Sequence, residues 1–527
     1  MGRPDPGAGS AGQITNALRV GRGPVAARSW GADRLAPVEQ ERPRLPRIAV
    51  VGGGLSGLVA AWRLRDLAQV VVLERSDVLG GVLRLGELAG LTVDLGAESV
   101  LARRPEALDL FGELGLAADV VHPATSAACV RRDGRWYPLP PRTVLGVPSD
   151  PAAARGLLTP DEVDRALAEP EPAEAPSAEP DPDEPASAEP PDQDVATWVG
   201  SRMGPAVVDR LVEPLLGGVY AGHARLLSAQ VTLPALWREA GSGGRLLDAA
   251  AAVVAAPAAT GPVFAGLSGG IGRLPQRLAE QLRAHGVTIR TGVTVRALEP
   301  MPDHAVSGWG AWRLTLGPAS EPQVLDVDAV VLAVPAAPSA RLLATVCPQA
   351  SAELGQVETA SLALVACALP RAHLAHVPPG SGVLVPPAEG HPVKAITFAS
   401  AKWAWLDAQD ADLAVVRLSV GRHREEAILQ RDDADLAALA VADAEQLLGT
   451  RLSPVETRVV RWGGALPQPM VGHRDRVARI RRDVARWPGL AVCGSLYEGV
   501  GIPACIAAAT AAAASAAAGC SEWLYSR

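Results

Sequence analysis

Residues Arg47 to Arg75 read RIAVVGGGLSGLVAAWRLRDLAQVVVLER, and no other stretch of the chain restricts its fold so tightly. A short apolar run, Ile48 to Val51, breaks into Gly52, Gly53, Gly54, Leu55, Ser56 and Gly57. An Ala- and Leu-rich helical pattern follows to about Leu67, and a second apolar run, Val70 to Leu73, ends in Glu74. Strand, tight turn, helix, strand and acid in that order form the first unit of a dinucleotide-binding domain. Gly52 permits the turn, Gly54 lets backbone approach a pyrophosphate, and Gly57 lets the helix lie close on the strand. The helix N-terminus adds partial positive charge for the phosphates. Glu74 follows the first glycine by roughly twenty residues, where a carboxylate accepts from ribose hydroxyls. A Gly-rich turn before a helix is common; the full context makes this one specific.

The following residues, RSDVLGGVLRLGELAGLTVDLGAES, decide which dinucleotide. The Gly80-Gly81 pair, with Asp94-Leu95-Gly96 after a short hairpin, resembles the second glycine motif of the flavin amine oxidase superfamily, which sits against FAD. Its bland alternative is an ordinary Gly-rich hairpin. That family usually carries Lys or Arg after the pair; here Val82 stands there, with Arg84 two residues on. The departure touches one side-chain phosphate contact and leaves the backbone cradle. FAD is the expected cofactor. It is expected to be non-covalent, because no Cys or His stands in an evident attachment motif.

A chain of 527 residues with 48% hydrophobic content can bury a sizeable core and more than one domain. Its net charge of −8 argues against general nucleic-acid binding, which needs a basic face. Positive charge is almost all Arg; Lys394 and Lys402 are the only lysines. The six cysteines show no CxxC spacing and the nine histidines no HxxxH pair, so neither a disulfide frame nor a metal site is expected. Reduced thiols fit a cytoplasmic protein.

Residues 1–44 are rich in Gly, Pro, Ala and Arg without periodicity, and read as a disordered extension lacking a signal-peptide core. Arg103 to Leu116 has helical spacing, and Arg135 to Pro140 reads as a strand and turn. From Glu169 to Asp194 a Pro/Ala/Glu/Asp tract has no apolar face and is expected to be a solvated insertion. Ordered chain is expected to resume at Val195. Phe264 to Leu298 reads as a Gly-rich turn, a helix to about His285 and a strand from Thr288 to Leu298. Asp328 to Pro335 reads as a buried strand. Ser361 to Ala368, Ala395 to Phe398 and Leu413 to Val420 look like an antiparallel sheet, and Arg424 to Leu448 like a helix. Val500 to Ala518 is long and uncharged enough to span a membrane. It is mostly Ala behind Gly501 and Pro503, so a small-residue helix at the flavin is the better reading.

Four later stretches resemble the bacterial protoporphyrinogen/coproporphyrinogen oxidases of haem synthesis, a branch of that superfamily. They are Pro214 to Gly222 (PLLGGVYAG), Lys394 to Phe398 with Ser400 to Trp403, Arg461-Trp462 with Ala465 to Gln468 and Gly472-His473, and Gly499 to Ile506 (GVGIPACI). His223 and Ala504 stand where the family often has Asp. The resemblance runs from about Arg47 to Gly519, interrupted by the acidic tract. It implies an α/β fold: a discontinuous Rossmann-type FAD domain of the glutathione-reductase type, with an inserted α+β substrate domain and a helical subdomain. The implied segments are 45–102, 262–335 and 456–520 for FAD, 103–261 for the helical part and 336–455 for the substrate sheet. Gly52 to Gly57, Glu74, Arg75, Gly81 and Val82 would line the adenosine and pyrophosphate. Gly96, Ala97, Glu98 and Ser99 would pass near the isoalloxazine. Val295 would meet the adenine through its backbone, and Trp462 with Val500, Gly501 and Ile502 would complete the pocket.

A porphyrinogen loses six electrons, so a two-electron flavin must turn over three times. By the resemblance, hydride leaves a meso carbon for flavin N5, and dioxygen reoxidises the flavin to give hydrogen peroxide. Such a substrate asks for an apolar pocket with a few cations. Arg103 and Arg104, just past the flavin-facing segment, are the candidates for propionates, since Arg forks bind carboxylates bidentately. A solvated pair at a helix start is the competing reading. Val219 and Tyr220 are candidate pocket walls, or core residues. No general base stands out. Coproporphyrinogen III is the expected substrate and protoporphyrinogen IX the alternative. Location is expected to be cytoplasmic, with contact to the inner membrane face or to another haem-pathway enzyme left open. The rivals are another amine oxidase, which the scarcity of Phe and Tyr (three and four) disfavours, a carotenoid-type desaturase, and a flavin-binding partner protein without turnover.

Overall fold

Arg47–Val51 is the middle strand of a five-stranded parallel sheet, with Gln69–Leu73 on one side and Ala329–Leu332 on the other. Thr288–Arg290 and Leu490–Val492 are its edges. The computed structural model describes residues 45–169, 191–241, 243–256, 261–301 and 311–525, with side chains to 520; the expected extension 1–44 lies outside them. Alternate side chains of Arg47–Val51 enter two cores. Ile48 and Val50 join helices Leu55–Leu64, Arg273–Ala284 and Ile502–Tyr525, while Ala49 and Val51 join helices Ala336–Leu343, Pro348–Gly355 and His473–Val484. Cover on both faces is why these strands read as unbroken apolar runs. Strand order reverses at Arg47–Val51, so the Gly52 turn opens at the point where doubly wound sheets bind ligands.

A seven-stranded sheet forms a second layer, in the order Glu456–Pro467, Thr359–Pro370, Leu413–Val420, Val393–Phe398, Gly382–Leu384, Ala128–Arg132, Arg135–Pro138. All its pairings are antiparallel except Gly382–Leu384 with Ala128–Arg132. Helix Asp433–Leu448 covers one face. Helices Val195–Met203, Glu213–Tyr220, Pro234–Ala240 and Leu246–Ala255 build a separate apolar cluster, anchored by Trp198 and Trp237 in contact.

Several expectations change. The strand expected over Thr288 to Leu298 is two strands in two sheets, because Gly292, at φ +68°, turns the chain between Thr288–Arg290 and Val295–Pro300. The helix expected from Arg424 begins at Asp433, where the Asp432 carboxylate accepts from the Asp435 N–H as its cap. Glu456–Pro467, assigned above to the third flavin segment, is the edge of the seven-stranded sheet. Helices Ala336–Leu343 and Pro348–Gly355, assigned to the substrate sheet, pack on the parallel one. The apolar helix Ile502–Cys520 is long enough to cross a membrane by length and composition, and half of it is buried in the protein. Its small residues lie against helix Leu55–Leu64.

The acidic tract is also corrected at both ends. Residues 170–190 lie outside the described chain, but Glu169 is buried and accepts from the N–H groups of Leu246 (2.6 Å) and Leu247 (3.1 Å), capping a helix of the cluster. Asp192 holds the Ser228 hydroxyl (2.8 Å) and the Gly472 N–H (2.9 Å), and Asp194 caps helix Val195–Met203. These acids look like the rest of the tract in composition; the partners of Glu169 and Asp192 are distant in sequence, while Asp194 caps its own helix. Deleting 170–190 should therefore leave folding intact, whereas Glu169→Ala should cost about 1–3 kcal/mol by orphaning two buried donors. Urea unfolding of both variants checks this, and a Glu169→Ala curve superposed on wild type would contradict it.

Candidate functional site

The Gly52 turn is built by exclusion. Gly52 has φ +108°, and a Cβ there would overlap the Ala333 carbonyl; one on Gly57 would overlap the Gly52 carbonyl. Strand and helix therefore meet closer than any side chain allows. Gly54 differs, since a Cβ there would meet no protein atom within 4 Å. It caps helix Leu55–Leu64 without a side-chain hydrogen bond, and the first turn carries no acid. A bare, electropositive helix end facing open space suits a pyrophosphate. Ser56 reaches the Cys505 carbonyl at 3.5 Å, bringing the start of helix Ile502–Tyr525, with Val500, Gly501 and Ile502, beside the same end.

Glu74 stands where the spacing puts it. Its carboxylate accepts from Gly53 N–H (2.6 Å) and Ser76 N–H (2.7 Å), which fixes its orientation and leaves further lone pairs for hydroxyls. Arg75 is exposed beside it. Val293 N–H donates to the Glu74 carbonyl at 2.8 Å, drawing the half-buried Val295 toward the same corner. Gly80 N–H donates to the Gly53 carbonyl at 2.9 Å, and the Cβ position of Gly81 lies 3.5 Å from Gly54 Cα, so the two glycine motifs form one wall. Val82 is 42% exposed, and its backbone does the work: its carbonyl accepts from Ala97 N–H at 3.1 Å. Arg84 lies over the Trp462 ring, 5.7 Å from its centre, and Trp462 Nε1 donates to the Leu95 carbonyl at 3.2 Å.

Beneath Gly96 to Ser99 lies a charge cluster that the sequence reading missed. Glu98 is bound by Lys402 at 2.6 Å and by Arg417, which also donates to the Gly96 carbonyl. Burial would raise the Glu98 carboxyl, but the two cations outweigh it and hold the group at about 2. Asp94 goes the other way: burial raises it to about 6 although Ile271 and Gly272 N–H groups donate to it. Lys402 lay within a quoted motif, and Arg417 interrupts the apolar run LAVVRLSV. A lone charge in a buried strand was the available signal.

On the opposite side, Tyr220 is buried, which pushes its phenol up to about 12, while Val219 is 42% exposed. Gln468 donates to the Tyr220 carbonyl at 2.8 Å. One cavity is lined by Tyr220, His473, Tyr497, Gly499 and Val500, so a candidate substrate wall and the candidate flavin loop share a space. His473 directs Nε2 to the Leu496 carbonyl (2.9 Å), and Nδ1 is buried without a partner among the described residues. A wider hollow on the helical cluster, lined by Asp194, Thr197, Asp209 and Arg225, contains no motif residue. Arg103 is exposed at the start of helix Pro105–Glu113 and makes no ion pair or hydrogen bond among the described residues. Arg104 is already paired with Glu106 through Nε and Nη2. It also feels the charge of Glu498, which precedes the Gly499 turn.

Residues 55–517 match the flavin containing amine oxidoreductases, and the chain belongs to that family. It is a flavin-dependent oxidoreductase of mixed α/β fold. The coproporphyrinogen III oxidase of Mycobacterium tuberculosis (strain ATCC 25618 / H37Rv) is 38% identical over 464 residues, 87% of this chain and 95% of that one. That of Bacillus subtilis (strain 168) is 27% identical over 485 residues, 87% and 95% of the two chains. Among solved structures, a protein from Exiguobacterium sp. 255-15 assigned as a protoporphyrinogen oxidase superposes with TM-score 0.75 at 28% identity, covering 90% of this chain and 99% of that one.

Two variants separate the glycines. Gly57→Ala should give insoluble or flavin-free protein, because the overlap is with backbone. Gly54→Ala should fold like wild type by circular dichroism but bind flavin more weakly; unchanged flavin occupancy would remove Gly54 from the site. Lys402→Met leaves Glu98 with one cation and should destabilise the fold by about 3–5 kcal/mol. Denaturant unfolding measures that loss, and a variant as stable as wild type would contradict the cluster's role.

Proposed function

We propose that the chain oxidises coproporphyrinogen III to coproporphyrin III in haem synthesis, using non-covalent FAD and dioxygen and releasing hydrogen peroxide. The observation that carries this is likeness to coproporphyrinogen III oxidases along 87% of the chain, in a protein whose Gly52 and Gly57 are sterically required at the turn. The parallel sheet would be the core of a discontinuous FAD domain of the glutathione-reductase type. The seven-stranded sheet and the helical cluster would be the substrate domain and its helical subdomain. Activity on the cytoplasmic side is consistent with this reading.

FAD, when bound, supplies the hydride acceptor for each two-electron step. The chain's own contribution is placement. Glu74, already oriented by two backbone donors, takes the ribose hydroxyls, and the bare start of helix Leu55–Leu64 takes the pyrophosphate. Gly81, Val82, Gly96 and Ala97 shape the floor through their backbones. Glu98, bound by Lys402 and Arg417, holds that floor in place. Trp462 with Val500 to Ile502 closes the other side. Val219 and Tyr220 shape the substrate wall, and Arg104, with Nη1 still uncommitted, takes a propionate beside Arg103.

A charge-assisted hydrogen bond is worth about 1.5–3 kcal/mol, so Arg104→Ala should lower kcat/KM by roughly one to two powers of ten with flavin content unchanged. Porphyrin fluorescence from both porphyrinogens measures it. Equal or faster turnover of protoporphyrinogen IX by wild type would overturn the substrate assignment. An unchanged Arg104→Ala would overturn that contact alone. Acid precipitation should leave FAD in the supernatant, and flavin in the pellet would contradict non-covalent binding.

A further inference from the structure

Lys394 is one of the two lysines in the chain, and it is placed unlike the other. Lys402 is ion-paired with Glu98. Lys394 is 5% exposed, and its ammonium makes no hydrogen bond or ion pair among the described residues. It occupies a β-bulge in strand Val393–Phe398, where the register against Leu413–Val420 slips between Val393 and Ala395. A bulge re-aims a side chain at a cost in ladder hydrogen bonding, and bulges gather near active sites.

Among the described residues, the surroundings offer the ammonium no free anion. The charge it feels is that of Arg422, 6% exposed, which donates to the carbonyls of Val385 (3.0 Å) and His391 (3.3 Å). On helix Asp433–Leu448, Asp443 is held by His391 (2.7 Å) and by Val393 N–H (2.9 Å). On helix Glu213–Tyr220, Glu213 is held by His223 (3.0 Å) and Ala224 N–H (2.7 Å), and Tyr220 is un-ionised. Glu425 lies 3.6 Å from His223. On the neighbouring strand and the following helix, Arg417 and Lys402 are both committed to Glu98. Burial, reinforced by Arg422, pushes the Lys394 amine down to about 7. Leaving a lysine buried beside another cation is costly. Arginine, which supplies nearly all other positive charge here, could not shed its proton at such a place, and lysine can.

The location is functional ground. Helix Glu213–Tyr220, the end of the PLLGGVYAG motif, packs on strands Val393–Phe398 and Gly382–Leu384. Gly218 and Val219 are exposed there, and the Cβ position of Gly218 lies 3.7 Å from Leu384, whose cross-strand partner is Ala395, next to Lys394. The bulge that carries the buried cation thus adjoins a strand position that faces a candidate substrate wall.

We propose that Lys394 is a carboxylate-binding specificity residue that receives one propionate of the substrate at the seam between helix Glu213–Tyr220 and the seven-stranded sheet. The inference rests on the functional reading above and names a further cation beyond Arg103 and Arg104. Substrate brings the missing anion. The amine takes up a proton as the carboxylate enters, so binding is strongest below about pH 7 and weakens as the pH rises through the amine's own titration.

The test is Lys394→Met, compared with wild type for flavin content, thermal stability, and KM for coproporphyrinogen III between pH 6 and 9. The expected result is unchanged flavin, equal or higher stability because a buried charge site is gone, and a KM raised roughly tenfold to a hundredfold at pH 6. Wild-type KM should climb with pH above 7 while that of the variant stays flat. A second readout is binding of coproporphyrin III against its tetramethyl ester by fluorescence quenching; the acid should be favoured less by the variant. Matching KM values and matching acid-over-ester preference overturn the proposal. So does a loss of stability and flavin together, which would make Lys394 structural. A wild type that oxidises no porphyrinogen overturns the functional reading itself, and the acid-over-ester comparison still judges the lysine.

Discussion

The structure depends on one close approach, the Gly52 carbonyl lying where any side chain on residue 57 would have to be. That contact sets helix Leu55–Leu64 against the central strand and leaves the helix end bare. The second glycine motif is then held to the first through the Gly80 to Gly53 hydrogen bond, and the helix that begins at Ile502 is drawn to the same end by Ser56. Segments more than four hundred residues apart, such as Ser56 and Cys505 with a separation of 449, thus converge on a turn whose shape no residue but glycine permits.

Buried charge is handled in two ways. Glu98 has two cations within reach, and its carboxyl sits far below the usual range. A satisfied cluster of this kind fixes geometry, here the backbone from Gly96 to Ser99, while contributing modest net stability. Lys394 has no ion-pair partner among the described residues, and burial beside Arg422 pushes its amine down to about 7. Two lysines eight positions apart therefore do opposite things: one completes a frame and the other waits for a partner the protein does not provide.

Much of this was legible in the residues. The glycine motifs, Glu74, and the strands around Leu413 to Val420 follow from local pattern, because turn chemistry and periodicity are local. Pairings were not legible. Nothing in Glu169 announces that it caps a helix beginning at Leu246, nothing in Glu456 to Pro467 says which sheet it joins, and Gly292 looked like any residue of a continuous strand. Arg104 was read as a propionate ligand or a solvated helix-start arginine, and Glu106, two residues away, already holds it. Arg417 was not singled out within its apolar strand, although burying a lone charge there demands a partner, and Glu98 is that partner.

The central claim is that a flavin cradle and a porphyrinogen pocket share one site. Anaerobic mixing of the purified flavoprotein with a limiting amount of coproporphyrinogen III tests it most directly, by following flavin absorbance and porphyrin fluorescence together. The account predicts that the flavin bleaches as porphyrin appears, with three flavins reduced for each porphyrin formed, and recovers when oxygen is admitted. Porphyrin formation without bleaching, or a flavin that stays oxidised, would contradict it.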